Sequence, residues 1–503
     1  MDRLTGAQES PGREPLTLSA LTGPRGIPIL GNATQFRPEQ MHRQLEEWSR
    51  IYGTRYRIAL GPRKLLVCAD PDDVAAVLKD RPNGFRRSSR LEMVGKELQI
   101  AGVFGANGED WRRQRAFVMH AFNPAHVKSY FPSLHTVARR MMQRWAMLAD
   151  EPAAFELEPE LMRYTVDVTA GLAFGTDINT IESEGTVLQG HLARIFRMLQ
   201  KRLFAPFPYW RWFKRAEDRA LDESIALVNQ AIKDFVDLAR GRMENDAARF
   251  DQPTNLLEAM LAAQKENAAS ISELELKGNV LTMLLAGEDT TAHALAWLIY
   301  QLSIHPEALA RMRAEVDGII GGEALPSCHE QLSEMAFTEA CINESMRLHP
   351  VAPFLVAEAI TDTIVADVAV PKGTVIVMLT RVGAMEDRNF RDAATFRPDR
   401  WLQPAAEGNS KKVSIPFGAG PRLCPGRFLA IEEMKMALSM LVRHFDIERV
   451  DSPDGQAPQE RLTFTMAPVG LRLKLRRREV SGNNQTGIGL GHARDSIRGN
   501  ATS

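Results

Sequence analysis

The sequence lacks an excess of either charge: 62 lysine and arginine residues stand against 63 aspartate and glutamate residues, and the formal net charge is -1. Because nucleic-acid-binding proteins usually carry a clear basic excess, this class is disfavoured. Cysteine is also scarce, with four residues in 503. So few thiols do not form a disulfide framework, and they favour a reducing compartment.

The first twenty residues lack the apolar stretch that a signal peptide or a membrane anchor requires. We therefore expect a cytoplasmic protein with no transmembrane anchor. Residues 1–22 are predicted to be a disordered lead, and residues 479–503, rich in glycine, asparagine and serine, a disordered tail. No repeat or linker interrupts the chain between them, which indicates one large domain over residues 23–478.

Helical patterns dominate from about residue 111 to 313, with breaks at prolines. The β-prone segments are short, as in YRIALGPRKLLVC near the start and TVIVML at 374–379. Leu471 to Arg476 alternates leucine with basic residues, which is typical of a strand with one wet face. The sequence therefore predicts a predominantly α fold with small β-sheets.

One cysteine, Cys424, lies in the glycine-rich string FGAGPRLCPG. Apolar residues recur at helical spacing after it, so we expect a helix with Pro425 at its first position and Cys424 at its N-terminus. The helix dipole there favours a thiolate, and the glycines let backbone amides approach the sulfur. Arg422 offers a planar fork of donors for a carboxylate. For a lone cysteine, a small buried residue in a turn would be the better interpretation.

This string resembles the heme-binding signature F-G-x-G-x-R-x-C-x-G of the cytochrome P450 family and matches it at every fixed position. The matching residues are Phe417, Gly418, Gly420, Arg422, Cys424 and Gly426. The resemblance implies heme b, with its iron bound by the Cys424 thiolate and a propionate bound by Arg422. It also implies the cytochrome P450 fold, with the heme between a long central helix and the helix after the cysteine loop.

Residues 279–302 predict that long helix, apolar at both ends and polar in its centre. Two acids and a histidine at its midpoint disfavour a membrane span. Gly287 costs helix stability there without an evident packing reason, and a local opening of the helix beside a ligand would explain it. The alternative is that Thr290 and Thr291 bond back to helical carbonyls while the acids reach solvent.

The central string AGEDTT resembles the family's oxygen-binding motif. On that match, Ala286 and Gly287 lie against the heme, Thr290 hydrogen-bonds dioxygen, and Asp289 helps to deliver protons. Glu288 falls at the variable position and receives no role.

Two further matches to the family imply residues that hold the cysteine loop in place and residues that bind a heme propionate. Glu344 and Arg347 share a helix face, and together with Arg400 they resemble the family's E-x-x-R helix and its partner, which implies a network that holds the cysteine loop. Without the resemblance, such a pair is usually a solvated surface contact. Trp111 and Arg115 resemble the W-x-x-x-R pattern that binds a propionate, although a core tryptophan beside an exposed arginine is the alternative.

The sequence also departs from the family. Ala357 stands near a position where many members carry a heme-binding arginine, so we expect propionate binding to depend more on Arg422 and Arg115.

The resemblance implies a monooxygenase that inserts one atom of dioxygen into a small organic substrate. The expected substrate contacts are mostly apolar, which indicates a lipophilic substrate; they lie at residues 85–100, 284–286 and 351–356 and near Phe464. Arg86, Arg87 and Arg90 could face solvent or meet a carboxylate. The aromatic string LFAPFPYWRWF at 203–213 is either a mobile lid or a packed turn.

No flavin or iron-sulfur motif is present, so we expect electrons from a ferredoxin- or flavodoxin-type donor. Its docking face is predicted around Arg112, Arg113, Lys128 and Arg427. A peroxygenase or isomerase-type enzyme with the same cofactor, and a non-catalytic heme-binding sensor, are the rival interpretations.

Overall fold

Helices form most of the chain in the computed structural model, as the sequence predicts. The structure describes residues 14–100, 102–122, 128–183, 187–205, 207–266, 271–403 and 410–478. The predicted disordered tail at 479–503 and the first thirteen residues of the predicted lead lie outside these ranges.

The helices of the described residues are α1 (Met41–Tyr52), α2 (Pro71–Lys79), α3 (Ser89–Glu97), α4 (Gly108–Ala121), α5 (Phe131–Asp150), α6 (Leu157–Phe174), α7 (Val187–Phe204), α8 (Ala216–Asn245), α9 (Ala248–Asp251), α10 (Leu256–Glu266), α11 (Glu273–Ile304), α12 (Pro306–Ile320), α13 (His329–Glu334), α14 (Ala336–Leu348), α15 (Asp399–Leu402) and α16 (Arg427–His444).

The strands are short and form four small sheets. They are β1 (Leu16–Thr17), β2 (Arg55–Leu60), β3 (Arg63–Cys68), β4 (Phe85–Arg86), β5 (Phe155–Glu156), β6 (Phe354–Ala359), β7 (Thr363–Val365), β8 (Val368–Val370), β9 (Val375–Leu379), β10 (Phe445–Asp451), β11 (Glu460–Leu462), β12 (Met466–Pro468) and β13 (Arg472–Arg477). The largest sheet has the order β2-β3-β9-β6-β4, and its β3 and β9 are parallel while its other pairs are antiparallel.

The end of the predicted disordered lead is ordered. Leu16–Thr17 pairs in parallel with β8, and Leu18 is buried. The guanidinium of Arg57 donates to the carbonyl of Leu21, which ties the lead to β2. A polar, aromatic-poor composition predicts disorder only when no neighbouring strand edge is available, and here β8 supplies one.

Helix α11 runs through the main hydrophobic core and is buried along most of its length. It begins six residues before the predicted start because Ser272 and Glu275 form a capping box: the Ser272 hydroxyl accepts from the Glu275 amide at 3.3 Å, and Glu275 accepts from the Ser272 amide at 2.8 Å. Helix α6 packs along α11. No described helix is both long and apolar enough to cross a bilayer.

Helix α16 follows the cysteine loop and packs against α5, α12 and α14. It begins at Arg427 and is preceded by Gly426, so the predicted helical start at Pro425 is wrong. Cys424 therefore lies in the loop, three residues before the helix.

Candidate functional site

The cysteine loop is a tight turn closed by backbone hydrogen bonds. The Cys424 amide donates to the Phe417 carbonyl at 3.0 Å, and the Gly418 amide donates to the Ile415 carbonyl at 2.9 Å. Gly420 has a φ of +70°, and a Cβ built on it would lie 2.3 Å from the carbonyl oxygen of Leu78 in α2. Only glycine fits there, which explains this position of the string.

The Cys424 thiol is surrounded by groups that favour its charged form, although the site is buried. Burial raises the pKa of Cys424, while the Gly426 amide, which donates to the sulfur, and the charges of Arg115 and Arg427 lower it. The Gly426 amide thus approaches the sulfur, and Gly426 is one of the glycines of the string from which this approach was predicted. A metal ion would complete this arrangement because it binds the deprotonated sulfur.

A stripe of α11 faces open space at the centre of the molecule. Ala286 is exposed, and Met283, Gly287 and Thr290 are half-buried, although most of their neighbours on the helix are buried. These positions are spaced i, i+3, i+4 and i+7, which puts them on one helix face. A residue exposed at the middle of a core helix marks a cavity.

Thr290 Oγ1 donates to the Ala286 carbonyl at 2.7 Å, and α11 is continuous through this region. The predicted local opening of the helix is therefore not found, and the back-bonding alternative describes Thr290. Gly287 has a packing reason after all: a Cβ on it would lie 2.4 Å from Thr169 Oγ1 on α6. The Thr169 side chain therefore occupies the space that a side chain at position 287 would need.

The acids of the central string are buried and do not reach solvent as the alternative required. Asp289 is 7% exposed and Glu288 is 2% exposed. Burial raises the pKa of both carboxyl groups; the charge of His293 opposes this at Asp289, whereas the neighbouring Asp289 adds to it at Glu288. Of these two acids, only Asp289 has a neighbouring charge, that of His293, that opposes the rise in pKa caused by burial.

Four arginines lie near the cysteine loop, and we call them the arginine cluster: Arg81, Arg87, Arg115 and Arg422. Among the described residues, no carboxylate forms an ion pair with any of them. Burial, followed by the charges of the other three, lowers the pKa of Arg422 to about 9, so the guanidinium is still charged at neutral pH. The Nε atoms of Arg87 and Arg422 are buried without a hydrogen-bond partner.

The remaining contacts of the cluster anchor it to the loop. Arg115 Nη2 donates to the Leu423 carbonyl at 2.7 Å, and Arg81 Nη2 donates to the Ala419 carbonyl at 3.3 Å. Arg422 Nη2 donates to the Ala106 carbonyl at 2.7 Å, and its guanidinium stacks on Trp111 at 4.6 Å. Trp111, Arg115 and Arg422 are thus brought together as predicted.

Sequence reasoning missed Arg81 and left Arg87 undecided. Arg86 pairs with Glu358 (Nη2 to Oε1, 2.6 Å), and Arg90 donates to the Arg202 carbonyl at 2.8 Å. Neither Arg87 nor Arg90 has a carboxylate partner among the described residues, but Arg90 donates to backbone carbonyls, whereas Nε of Arg87 is buried without a hydrogen-bond partner. Ala357, near the position where the resemblance implies an arginine, is fully buried in β6. Arg81 and Arg87 supply positive charge that this position does not.

Glu344, Arg347 and Arg400 form a second charged group, which we call the Glu344 network. All three are at most 1% exposed. Arg347 Nη2 and Arg400 Nε donate to Glu344 Oε1 at 2.8 and 2.9 Å. Arg347 Nη1 also donates to the carbonyls of Ala384 and Ala393, so the network ties α14 to the chain that leads to the cysteine loop.

Three aromatic rings from separate segments, Phe104, Phe196 and Phe464, pack together, and we call them the aromatic wall. The ring of Phe464, in the turn between β11 and β12, lies 5.2 Å from Phe196 and 5.8 Å from Phe104. The Met466 amide donates to the Val351 carbonyl, so the predicted contact regions at 351–356 and around Phe464 are adjacent. Leu284 and Leu285 are buried, and of their predicted group only Ala286 faces the open space.

The aromatic string at 203–213 is in part a packed turn, and the mobile lid stays a prediction. Tyr209 and Trp210 are buried, and Trp210 Nε1 donates to Glu97 at 2.7 Å, as in a packed turn. Phe207, Trp212 and Phe213 are more than half exposed. Its packed half is anchored to α3, and its exposed half has no described cover.

A family model for Cytochrome P450 matches residues 21–475. The chain is 28% identical to the cytochrome P450 monooxygenase himC of Aspergillus japonicus over 464 residues, 89% of this chain and 80% of that protein. It is 26% identical to pentalenene oxygenase of Streptomyces avermitilis over 462 residues, 91% and 98% of the two chains. It is also 26% identical to the chloroplastic protein LUTEIN DEFICIENT 5 of Arabidopsis thaliana over 431 residues, 83% and 71%.

A cysteine in a glycine-rich loop, a core helix with an exposed stripe at its middle and four arginines near the loop are the features expected of a heme-thiolate protein. The chain belongs to the cytochrome P450 family, and it is a monooxygenase. The family implies a heme iron cofactor, a source of electrons and dioxygen. The predicted family and fold class are confirmed.

Proposed function

We propose that this chain binds heme b through Cys424 and hydroxylates a lipophilic small molecule, using dioxygen and two electrons from a separate donor. The arginine cluster carries the assignment. Arg81 is buried and Arg87, Arg115 and Arg422 are half-buried, and such guanidinium groups without a carboxylate are costly unless an anion binds among them. The two propionates of heme b are two such anions, and the unpartnered Nε atoms of Arg87 and Arg422 are free donors for them.

The residues around the cavity fit the same group. Cys424 would bind the iron, with Phe417, Gly418 and Gly426 forming the loop beneath the ring. Trp111, Arg115 and Arg422 would hold its propionate edge, and Ala286 and Gly287 present a flat stripe of α11 to its other face. The Glu344 network would keep the loop at its position.

A thiolate-bound heme iron supplies the chemistry of dioxygen activation, because the sulfur donates electron density that favours O–O cleavage. The protein's own part is to bind, orient and protonate. Thr290 holds its hydroxyl against the Ala286 carbonyl at the cavity surface, where it can turn to a bound ligand. Asp289, buried on the preceding position, holds the proton that this site consumes.

The cofactor assignment is tested by the carbon monoxide difference spectrum of the reduced protein. We expect the spectrum of a thiolate-ligated heme from the natural chain and its loss in Cys424→His. A spectrum typical of imidazole ligation in the natural chain would contradict the assignment of Cys424.

The oxygen assignment is tested by Thr290→Ala. The variant should keep the heme spectrum but release more peroxide per reductant consumed, because the hydroxyl no longer directs protons to the bound ligand. Product and peroxide are measured together, with reductant and then with added peroxide as oxidant. Product formed only with peroxide would favour a peroxygenase, and none under either condition would favour a sensor.

The substrate proposal rests on the aromatic wall. Phe104, Phe196 and Phe464 pack their rings against one another, and aromatic side chains of this kind bind apolar molecules. A fatty acid, terpenoid or steroid fits this chemistry. A ligand screen scored by the heme spin-state shift identifies the class, and a hit list dominated by small charged molecules would overturn it.

The docking face that we propose for the electron donor contains fewer unpaired basic residues than the sequence predicted. Arg113 is paired with Glu275 at 2.8 Å, Lys128 with Glu330 at 3.3 Å, and Arg112 with Glu109. These acids reduce the positive field, and Arg427, stacked on the exposed ring of Phe428, becomes the centre of the proposed face. We propose an acidic ferredoxin or flavodoxin in the cytoplasm as the donor. Arg427→Glu should raise its dissociation constant, and more strongly at low salt.

A further inference from the structure

His293 lies one helical turn after Asp289 on α11, and both of its ring nitrogens have partners. Nε2 lies 3.2 Å from Glu158 Oε1 at the start of α6. Nδ1 lies 2.9 Å from Thr465 Oγ1 in the turn between β11 and β12. The side chain is buried, at 2% exposure for the residue. The AGEDTT string ends before it, and nothing in the oxygen-binding motif accounts for these contacts.

Glu158 connects this buried histidine with solvent. Its side chain is 23% exposed, and it also lies 3.3 Å from Nη2 of Arg461, whose side chain is 36% exposed. Burial raises the pKa of Glu158, but the hydrogen bond and charge of His293 and the charge of Arg461 hold it below its usual value. An ionised, partly wet carboxylate can take a proton from water and pass it to an imidazole.

Asp289 lies at the inner end of the same group. Residues four apart on a helix have Cβ atoms about 5–6 Å from each other, so His293 and Asp289 are neighbours on one face. The charge of His293 lowers the pKa of Asp289, and that of Glu158 raises it, against a larger increase from burial. The three groups thus respond to one another across the boundary between α6 and α11.

We propose that Glu158 and His293 form the path along which protons move from solvent to Asp289. This path rests on the proposed function. Charged His293 gives the proton of Nε2 to Asp289 through one water. Glu158, protonated from solvent, returns a proton to the same nitrogen and is again a carboxylate. Each passage moves one proton inward and no electron, and Thr465 holds Nδ1 so that exchange takes place at Nε2.

The coupling is measured without turnover. The holoenzyme is labelled with ¹⁵N-histidine and studied in its reduced, carbon monoxide-bound form, and the His293→Gln spectrum identifies the His293 signals. We expect Asp289→Asn and Glu158→Gln each to shift the His293 ring-nitrogen signals, because Asp289 shares its helix face and Glu158 lies 3.2 Å from Nε2. Signals unchanged by Asp289→Asn would overturn the proposal.

Turnover supplies the second test. His293→Gln should slow product formation about tenfold and increase the solvent deuterium isotope effect on kcat, because proton delivery becomes limiting. Glu288→Gln is the matched control: Glu288 is equally buried on the same helix, burial raises the pKa of its carboxyl group, and it lies outside the proposed path. An isotope effect in His293→Gln equal to that of the natural chain would contradict the path.

Thr465→Val separates a proton path from a structural clamp. It removes the Nδ1 contact but leaves Glu158, Nε2 and Asp289, so the isotope effect should stay close to that of the natural chain. If Thr465→Val reproduced His293→Gln in full, the histidine would act as a clamp between α11 and the β11–β12 turn. A thiolate-type carbon monoxide spectrum in every variant shows that the proposed cofactor site stands whatever the outcome for the path.

Discussion

The Glu344 network and the arginine cluster both contain several arginines, but they differ in the source of the negative charge that pairs with them. In the Glu344 network, one carboxylate binds two guanidinium groups, and every member is at most 1% exposed. In the arginine cluster, the described residues supply no carboxylate, and the guanidinium groups lower one another's pKa. In the first group each guanidinium has a carboxylate partner within the chain, whereas in the second no described residue supplies one.

The difference separates structural from functional charge. A buried charge is costly unless it is paired, so a group paired within the chain contributes to a single folded arrangement. A group of like charges has the opposite effect, since it is more stable when an anion is bound than when it is not. The arginine cluster therefore couples folding to cofactor binding, and the Glu344 network does not.

The largest effect is expected from breaking the Glu344 network. Glu344→Gln removes the only charge that Arg347 and Arg400 share within it, and the free energy of unfolding should fall by about 3–5 kcal/mol. Urea denaturation of the apoprotein measures it. The triple variant Glu344→Leu, Arg347→Met, Arg400→Met should recover much of the loss, because no unpaired charge remains. A loss below about 1 kcal/mol in Glu344→Gln would remove the distinction between the two groups.

An intermediate effect of the opposite kind is expected in the arginine cluster. Arg87→Met removes a guanidinium whose buried Nε has no partner, so the apoprotein should be as stable as the natural chain or more so. Its heme dissociation constant should rise about tenfold to a hundredfold, the equivalent of one charge-assisted hydrogen bond. Heme transfer to a scavenging protein measures it.

Arg86→Met is the matched control for that variant. Arg86 is the neighbouring residue in sequence, but it pairs with buried Glu358. Its replacement should lower the stability of the apoprotein and leave heme affinity nearly unchanged. The reverse pattern in the two variants would show that Arg87 has no anion to bind.

The smallest effect is expected at the partly exposed pair of Arg113 and Glu275, in which the guanidinium has a carboxylate partner, as in the Glu344 network. The hydrogen bond from Arg113, opposed by burial and assisted by the Ser272 cap, holds the pKa of Glu275 at about 2. Because the folded pKa lies below the usual 4.5, this stabilisation is present above pH 4.5 and is lost as the pH falls toward 2. Solvent screening reduces it to about 1–2 kcal/mol.

Urea denaturation of the natural chain and Glu275→Gln at several pH values tests this prediction. The difference in unfolding free energy should be largest at neutral pH and should shrink below pH 4.5. A difference that does not depend on pH would mean that the cap geometry, and not the charge of Glu275, stabilises the start of α11.

Much of the site could be predicted from local strings. The cysteine loop, the AGEDTT string and the E-x-x-R helix each combine residue types within a few positions, so their chemistry is legible without a structure. Arg81 and Arg87 could not be recognised from the sequence, because they lie more than three hundred residues before Cys424 and belong to no periodic pattern. Gly287 was misread for the same reason: the side chain that excludes a Cβ, Thr169, is on another helix.

The sequence by itself determined the family, the mainly helical fold and the thiolate candidate, because these depend on the order of residues along a short segment. Only the tertiary structure decided which charges are paired. Arg86 and Arg87 are adjacent in sequence, yet one has a carboxylate and the other has none. Pairing depends on distance and burial between remote segments, and those are fixed only when the helices and sheets pack.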